Sequence, residues 1–209
     1  MKVETAPKAR WRQLTHRRLQ TWPSDLVKDT LLDSRPLPDW LETPIVSRIL
    51  SIPIADGEPN LFAGSPHGRP NHVLVNEYPT NTGIMPHKDG SAYYPVVCTV
   101  SLGSSLCLNL YQSKEDGALD PEPVGRILQE PRSLLITTAD LYSDYLHGIE
   151  SISADVDISE HTIANWGLLR SPLFQDGLNQ RQTRTSLTYR DVVKVSKLGN
   201  KLGSLFGRS

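Results

Sequence analysis

Cysteine, methionine and phenylalanine are scarce in this sequence, at two, two and three among 209 residues. With only Cys98 and Cys107 available, a disulfide scaffold and a four-thiolate zinc site are both excluded. Both cysteines lie in strand-like sequence and could approach each other across a hairpin at Gly103-Ser104. No secretory context supports a bond between them, so buried reduced thiols are expected. Long apolar runs are missing as well. None approaches the roughly 18 residues that a transmembrane helix needs, so no membrane partner is expected. Residues 1–12 are polar and basic with no apolar stretch, which argues against a secretory signal. Cytoplasm, nucleus or both is the expected location. An excess of one charge is lacking too: 22 Lys and Arg face 23 Asp and Glu, for a net charge of -1. The balance does not suggest disorder, and it argues neither for nor against a polyanionic partner. There is no internal repeat and no low-complexity block.

What remains is a chain of ordinary composition, 38% hydrophobic, long enough for one domain with a sizeable core. The first 60 residues are broken by Pro23, Pro36, Pro38, Pro44 and Pro53 and marked by Trp11, Trp22 and Trp40. They suggest short elements and one helix over 39–50, with Asp39 as N-cap and Glu42 at the capping-box position. From His72 the pattern turns to strands. We expect strands over 72–78, 94–102, 105–112, 126–129, 133–138, 142–146 and 184–195, with a tight hairpin at Gly103-Ser104. Residues 113–125 read as a polar, acidic loop. Many short strands and few helices predict an all-β sandwich or jelly roll with a few flanking helices. The chain divides into an extension, 1–71, packing on the core; a β domain, 72–195, with a long surface loop at 151–180 that the lack of a clean period marks as a candidate for mobility; and a basic tail, 196–209, either a short amphipathic helix or disordered.

The charge distribution is more informative than its sum. Lys8, Arg10, Arg12, Arg17 and Arg18 cluster with no acid among them until Asp25. Such a run can touch RNA or DNA phosphates, or it can be a solvated arm; composition leaves both readings open. The tail is basic too, through Lys194, Lys197, Lys201 and Arg208.

Two stretches carry chemistry. His87-Lys88-Asp89 places an imidazole and a carboxylate two residues apart, hence on one face of an extended chain. A second imidazole would complete a three-ligand set, and two His with one carboxylate and open positions is the signature of a non-haem Fe(II) oxygenase. His-x-Asp alone recurs by chance and needs support from elsewhere. His147, closing a strand and followed by Gly148, is the candidate third ligand, although a lone histidine is more often structural. The second stretch is Arg184-Thr185-Ser186-Leu187-Thr188-Tyr189-Arg190. Alternation puts Arg184, Ser186, Thr188 and Arg190 on one face. A polar row of this kind facing inward is costly unless an anion lies against it. Over roughly 20 Å, two arginines can converge on a small dicarboxylate, for which guanidinium geometry is suited. On an edge strand the same row would simply face water. Asn76 and Tyr78, sharing a face with Leu74, can donate to carboxylate oxygens.

The order Asn-x-Tyr, His-x-Asp, distal His and Arg-x-Ser-x-Thr-x-Arg resembles the AlkB family of Fe(II)/2-oxoglutarate dioxygenases. Residues 71–78, 83–90, Tyr93-Tyr94-Pro95 and Ser101-Leu102-Gly103 are similar to its sixth homologue branch, as are Trp11-Arg12-Gln13-Leu14 and Leu61-Phe62. This resemblance implies a double-stranded β-helix and an oxygenase using Fe(II), 2-oxoglutarate and O2. It implies that His87, Asp89 and His147 hold iron. It places Asn76 and Arg190 at the keto-acid end of 2-oxoglutarate and Tyr78 and Arg184 at the distal carboxylate, with Ser186 and Thr188 supporting the pocket. The implied reaction is oxidative demethylation of N-methylated RNA or DNA, releasing succinate, CO2 and formaldehyde, with Tyr93, Tyr94 and Trp11 as candidate stacking surfaces. Two departures stand out. The family's segment before Trp11 is expected to be absent or truncated, and Gly90-Ser91-Ala92 stands where repair members carry an acidic base-reading residue. A protein side-chain oxygenase and a non-catalytic binder are therefore alternatives. Oligomeric state is not readable.

Overall fold

Alternation organises the computed structural model, which describes residues 7–33, 35–54, 57–113, 118–171, 174 and 176–196. We label the strands β1 (Arg18–Trp22), β2 (His72–Tyr78), β3 (Ile84–His87), β4 (Val96–Gly103), β5 (Leu106–Tyr111), β6 (Gly125–Gln129), β7 (Leu134–Thr138), β8 (Leu146–Ile149) and β9 (Arg184–Arg190). A major antiparallel sheet runs in the order Arg12–Gln13, β1, β2, β9, β4, β7, and a minor one in the order β3, β8, β5, β6. The two sheets enclose a cavity lined by both, which is the jelly-roll arrangement.

The outer face of the major sheet carries the main core. Val73, Val75, Val96, Cys98, Leu187 and Tyr189 pack there against Trp22, Leu37, Leu41, Val46, Ile49 and Phe62 from the extension. Each fully buried aliphatic of this set contributes ~1.5–3 kcal/mol. The Tyr189 hydroxyl donates to the Leu41 carbonyl at 2.8 Å, fixing sheet to cover. The extension also enters the sheet, since β1 pairs with β2 from Arg18–Glu77 to Trp22–Val73. Its helical part is not one helix from Asp39. It is α1 (Asp39–Glu42) followed by α2 (Ile45–Leu50), and the cap residue of α1 is Pro38 without a side-chain bond. Pro44 breaks the run, because the residue before a proline is driven out of the helical region and Thr43 is extended.

The Gly103-Ser104 hairpin does not form. β4 belongs to the major sheet and β5 to the minor one, so the turn is the crossing between layers. Gly103 has φ +83°, and a Cβ there would lie 2.5 Å from the Thr183 carbonyl. The crossing is therefore held against β9 rather than by pairing its own arms. Cys98 and Cys107 consequently fall in separate cores as free thiols, and burial pushes both up to about 12.

Two further segments depart from expectation. Residues 142–146 are not a strand: α3 (Ala139–Ser143) precedes β8, and His147 lies inside β8 instead of closing a strand. The long segment after Glu150 is anchored. Ile158, Ile163 and Phe174 bury against Cys107 and Leu128 on the minor sheet, and Ala154–Asp155 pairs with Asn179–Gln180. A buried Arg181–Asp155 ion pair at 2.5 Å closes this segment, with Arg181 also donating to the Glu150 carbonyl at 2.6 Å. The last strand ends at Arg190, after which Lys194–Val195 pairs with Thr30–Leu31. Most of the basic tail lies outside the described residues. No described helix is long and apolar enough to cross a membrane.

Candidate active site

β9 is the central strand of the major sheet and is buried on both faces. Leu187 and Tyr189 take the core side. Arg184, Ser186, Thr188 and Arg190 take the cavity side, each under a tenth exposed. Register then aligns the partners. Arg184 stands opposite Tyr78, Ser186 opposite Asn76 and Thr188 opposite Leu74, with Ser101 and Thr99 across the other edge. The polar row thus faces inward, and the solvent-facing alternative is excluded.

Arg184 is almost wholly buried. Its guanidinium donates to Ser101 Oγ at 2.7 Å and to Gln129 Oε1, both neutral. No described carboxylate forms an ion pair with it. Burial lowers its pKa to about 10, with Tyr78 opposing and Arg181 reinforcing the shift. The Tyr78 hydroxyl is pushed up by burial and drawn back by Arg184, Arg17 and Arg190. A desolvated cation held only by neutral acceptors is a site prepared for an anion.

At the other end of β9, Arg190 forms a buried ion pair with Asp89 and lies over the Tyr93 ring at 4.7 Å. Its Nε and the Asn76 Oδ1 are buried without a hydrogen-bond partner. Here the cavity also receives two imidazoles. β3 is an edge strand, where Pro86 is tolerated because it owes no ladder bond on the open side. His87 at its end stands opposite His147 of β8. Gly148 next to it lets Pro86 approach, since a Cβ there would meet Pro86 N at 3.0 Å. The two rings lie 4.5 Å apart between centroids at 54°. The His87 Nδ1 faces the Met85 carbonyl at 2.9 Å. A carbonyl only accepts, so that nitrogen donates and Nε2 is the ring atom left to face the cavity. Burial lowers His147 to about 4, against the pull of Asp89 and with the help of His87 and Arg190. His147 is therefore a neutral donor at physiological pH.

All nine residues singled out from the sequence line this one cavity of about 100 Å³: Asn76, Tyr78, His87, Asp89, His147, Arg184, Ser186, Thr188 and Arg190. The three metal-type side chains are not gathered around a common point, however. Among the described residues no group of three His, Cys, Asp or Glu is in metal-holding arrangement, and the Asp89 carboxylate is paired with Arg190. The donor set still suits a ferrous ion: two imidazoles, one carboxylate and a cavity that leaves room for further ligands.

A family model for the 2OG-Fe(II) oxygenase superfamily matches residues 3–190. The chain belongs to that superfamily. It is 38% identical over 208 residues to a Danio rerio protein described as "Probable RNA/DNA demethylase ALKBH6", covering 96% of this chain and 82% of that one. It is 30% identical over 125 residues to the Xenopus tropicalis "tRNA (carboxymethyluridine(34)-5-O)-methyltransferase alkbh8", covering 59% of this chain but 18% of that one. The solved structure of OsALKBH1 shares the fold with a TM-score of 0.50 at 19% identity, over 87% of this chain and 84% of that one. The oxygenase uses Fe(II), 2-oxoglutarate and O2, as its superfamily does.

Some functional neighbours of the oxygenase were not evident from sequence. Ser101 and Gln129 hold Arg184, and Thr99 adds a hydroxyl to the wall. Their signal was a polar residue at an alternating position in otherwise apolar strands. Arg17 also lines the cavity, although it reads as one member of a basic run. Three other members of that run are engaged by the fold. Arg10 donates to the Pro23 carbonyl and lies over Trp22, Arg12 pairs with Asp25, and Arg18 pairs with Glu77 over Trp11. Trp11 and Tyr94 pack on the main core, so of the expected stacking surfaces only Tyr93 adjoins the site. Lys88, with no assigned role, donates to the Ser143 carbonyl at 2.7 Å. His16, His67, His72 and His161 stay outside the cavity.

Proposed function

We propose that this oxygenase removes N-methyl groups from nucleic acid, RNA or DNA, by oxidation. The observation that carries the chemistry is Arg184: a buried cation without an acid, in the cavity that also holds two facing imidazoles. The 38% identity to a protein described as a probable RNA/DNA demethylase supports the substrate class. In this reading His87, His147 and Asp89 hold the ferrous ion. Asn76 and Arg190 bind the keto-acid end of 2-oxoglutarate, Tyr78 and Arg184 its far carboxylate, and Ser186 and Thr188 complete the wall. The bound iron supplies reductive activation of O2 coupled to loss of CO2 from the co-substrate. The chain's own task is positioning. Paired cations fix the dicarboxylate by both ends. The apolar wall of Ile84, Leu108, Leu110, Ile127 and Leu135 excludes water. Atoms balance when one oxygen enters succinate and the other enters the methyl group, whose hydroxymethyl product leaves as formaldehyde.

Nucleic acid would approach through a groove lined by Gln13, His16, Arg17, Met85 and His87, which opens beside the histidine pair. A target base in a duplex would have to be extruded first. Because Arg10, Arg12 and Arg18 are engaged by the fold, the basic segment adds less phosphate contact than its sequence suggests. Incubation of the iron-loaded enzyme with N-methylated oligonucleotides should release formaldehyde, and His87→Ala should reduce release at least a hundredfold. Equal release by both proteins would remove the assignment. The absence of an acid at Gly90-Ser91-Ala92 favours a second reading, a methylated protein side chain. Co-substrate turnover that no oligonucleotide stimulates, together with a mass change in a protein partner, would select it.

A further inference from the structure

Among the described residues, Arg17 is the one Arg or Lys that lines both the inner cavity and the outer groove. Its neighbour Arg18 pairs with Glu77 on the outer face of the major sheet. One step further along the antiparallel ladder, alternation brings Arg17 to the cavity side beside Tyr78. Its positive charge acts on the Tyr78 hydroxyl. The Arg17 Nε is buried without a hydrogen-bond partner, and no described carboxylate forms an ion pair with the side chain. Arg184 reaches Tyr78 from the opposite strand, with its carbon centre 5.8 Å from the ring. Two guanidiniums with no carboxylate partner among the described residues therefore act on one phenol in the cavity. A carboxylate beside that phenol would compensate both charges.

We propose that Arg17 is a second clamp on the far carboxylate of 2-oxoglutarate, reaching it from the groove side and closing the mouth of the cavity behind it. The inference rests on the reading of Tyr78 and Arg184 as the distal-carboxylate end. It makes Arg17 a positioning residue for the co-substrate and gives the groove loop at 13–17 a part in retaining it. A phosphate of the nucleic acid is the competing occupant. The partnerless Nε favours the co-substrate, because it is buried and not presented to the open groove.

The test is 2-oxoglutarate binding to the Mn(II)-loaded protein by titration calorimetry, with melting curves of each ligand-free variant as the folding control. Arg17→Gln should raise Kd about tenfold, equivalent to about 1.4 kcal/mol. Arg17→Lys should recover part of that loss, and Arg184→Gln should raise Kd about a hundredfold. Neither Arg17 variant should alter Mn(II) affinity measured without 2-oxoglutarate. If Arg184→Gln weakens binding and Arg17→Gln does not, the inference falls while the pocket assignment stands. If neither changes Kd, both fall. If Arg17→Gln leaves 2-oxoglutarate affinity intact but weakens oligonucleotide binding and lowers its salt slope, the residue serves phosphate, and the inference is overturned.

Discussion

A charge buried against neutral groups alone is more favourably replaced than retained, and Arg184 is such a charge. Without ligand it costs stability, since burial lowers its pKa to about 10; each unit of displacement is about 1.4 kcal/mol. Arg184→Met should therefore melt at the same temperature as the parent or several degrees higher in the absence of ligand. The same variant should lose the rise in Tm that Mn(II) with 2-oxoglutarate gives the parent. A ligand-free variant melting well below the parent would show that the guanidinium has a structural role instead. His72 offers a second residue-scale outcome. Burial, then Arg190, lowers it to about 4, with the Ser24 carbonyl and Asp25 opposing. Its folded pKa lies below the unfolded value near 6.5. Its contribution is therefore complete above pH 6.5 and is lost as pH falls from 6.5 toward 4, by up to about 3 kcal/mol. His147, lowered to about 4 as well, adds to the same slope. Denaturant melts across this window should show His72→Gln losing roughly half of the parent's acid sensitivity; an unchanged slope would exclude His72 as a source.

Elements fix where these residues meet, and here the sequence was legible in proportion to how local the cause is. That Arg184, Ser186, Thr188 and Arg190 share a face followed from period-two alternation; that the face is inward came from the central place of β9 in the sheet, which no local pattern records. His147 was found by its neighbours, but the element around it was misread. Residues 139–146 carry no strong period, and α3 exists because the chain turns at Ala139, at φ +49°, to cap the major sheet. Gly103-Ser104 has the composition of a hairpin turn and serves as a crossing, because the Thr183 carbonyl, far off in sequence, occupies the space beside Gly103. Long-range contacts of this kind leave no local mark. Gly83 is a comparable position where strand meets strand. A Cβ there would lie 2.0 Å from the Ile149 carbonyl. Gly83→Ala should force β3 away from β8, parting His87 from His147. We expect a loss of ~2–4 kcal/mol and at least a tenfold weaker Mn(II) affinity, measured by metal titration. Unchanged metal affinity in a destabilised variant would uncouple the strand pair from the site.

For the whole molecule, two covers do parallel work. The extension buries the outer face of the major sheet, and the segment after Glu150 buries that of the minor sheet. The first role was legible in the sequence as an extension packing on the core; the second was not, since Ile158, Ile163 and Phe174 are too widely spaced to form a period. Leu41→Ala, which empties the first cover where exposure is nil, should cost ~2–5 kcal/mol in denaturant unfolding. If the loss stays below ~1 kcal/mol, the extension is not integral to the fold. The Arg181–Asp155 pair has a wider reach than its own segment. Arg181 lies three residues before Arg184 and grips the carbonyl of Glu150, three residues after His147. It thus fastens the chain leading into β9 to the chain leaving β8, from opposite layers. Amide exchange should report a single opening event for Leu146–Ile149 and Arg184–Arg190, so that seating a small anion in one layer slows solvent access to the histidine strand in the other.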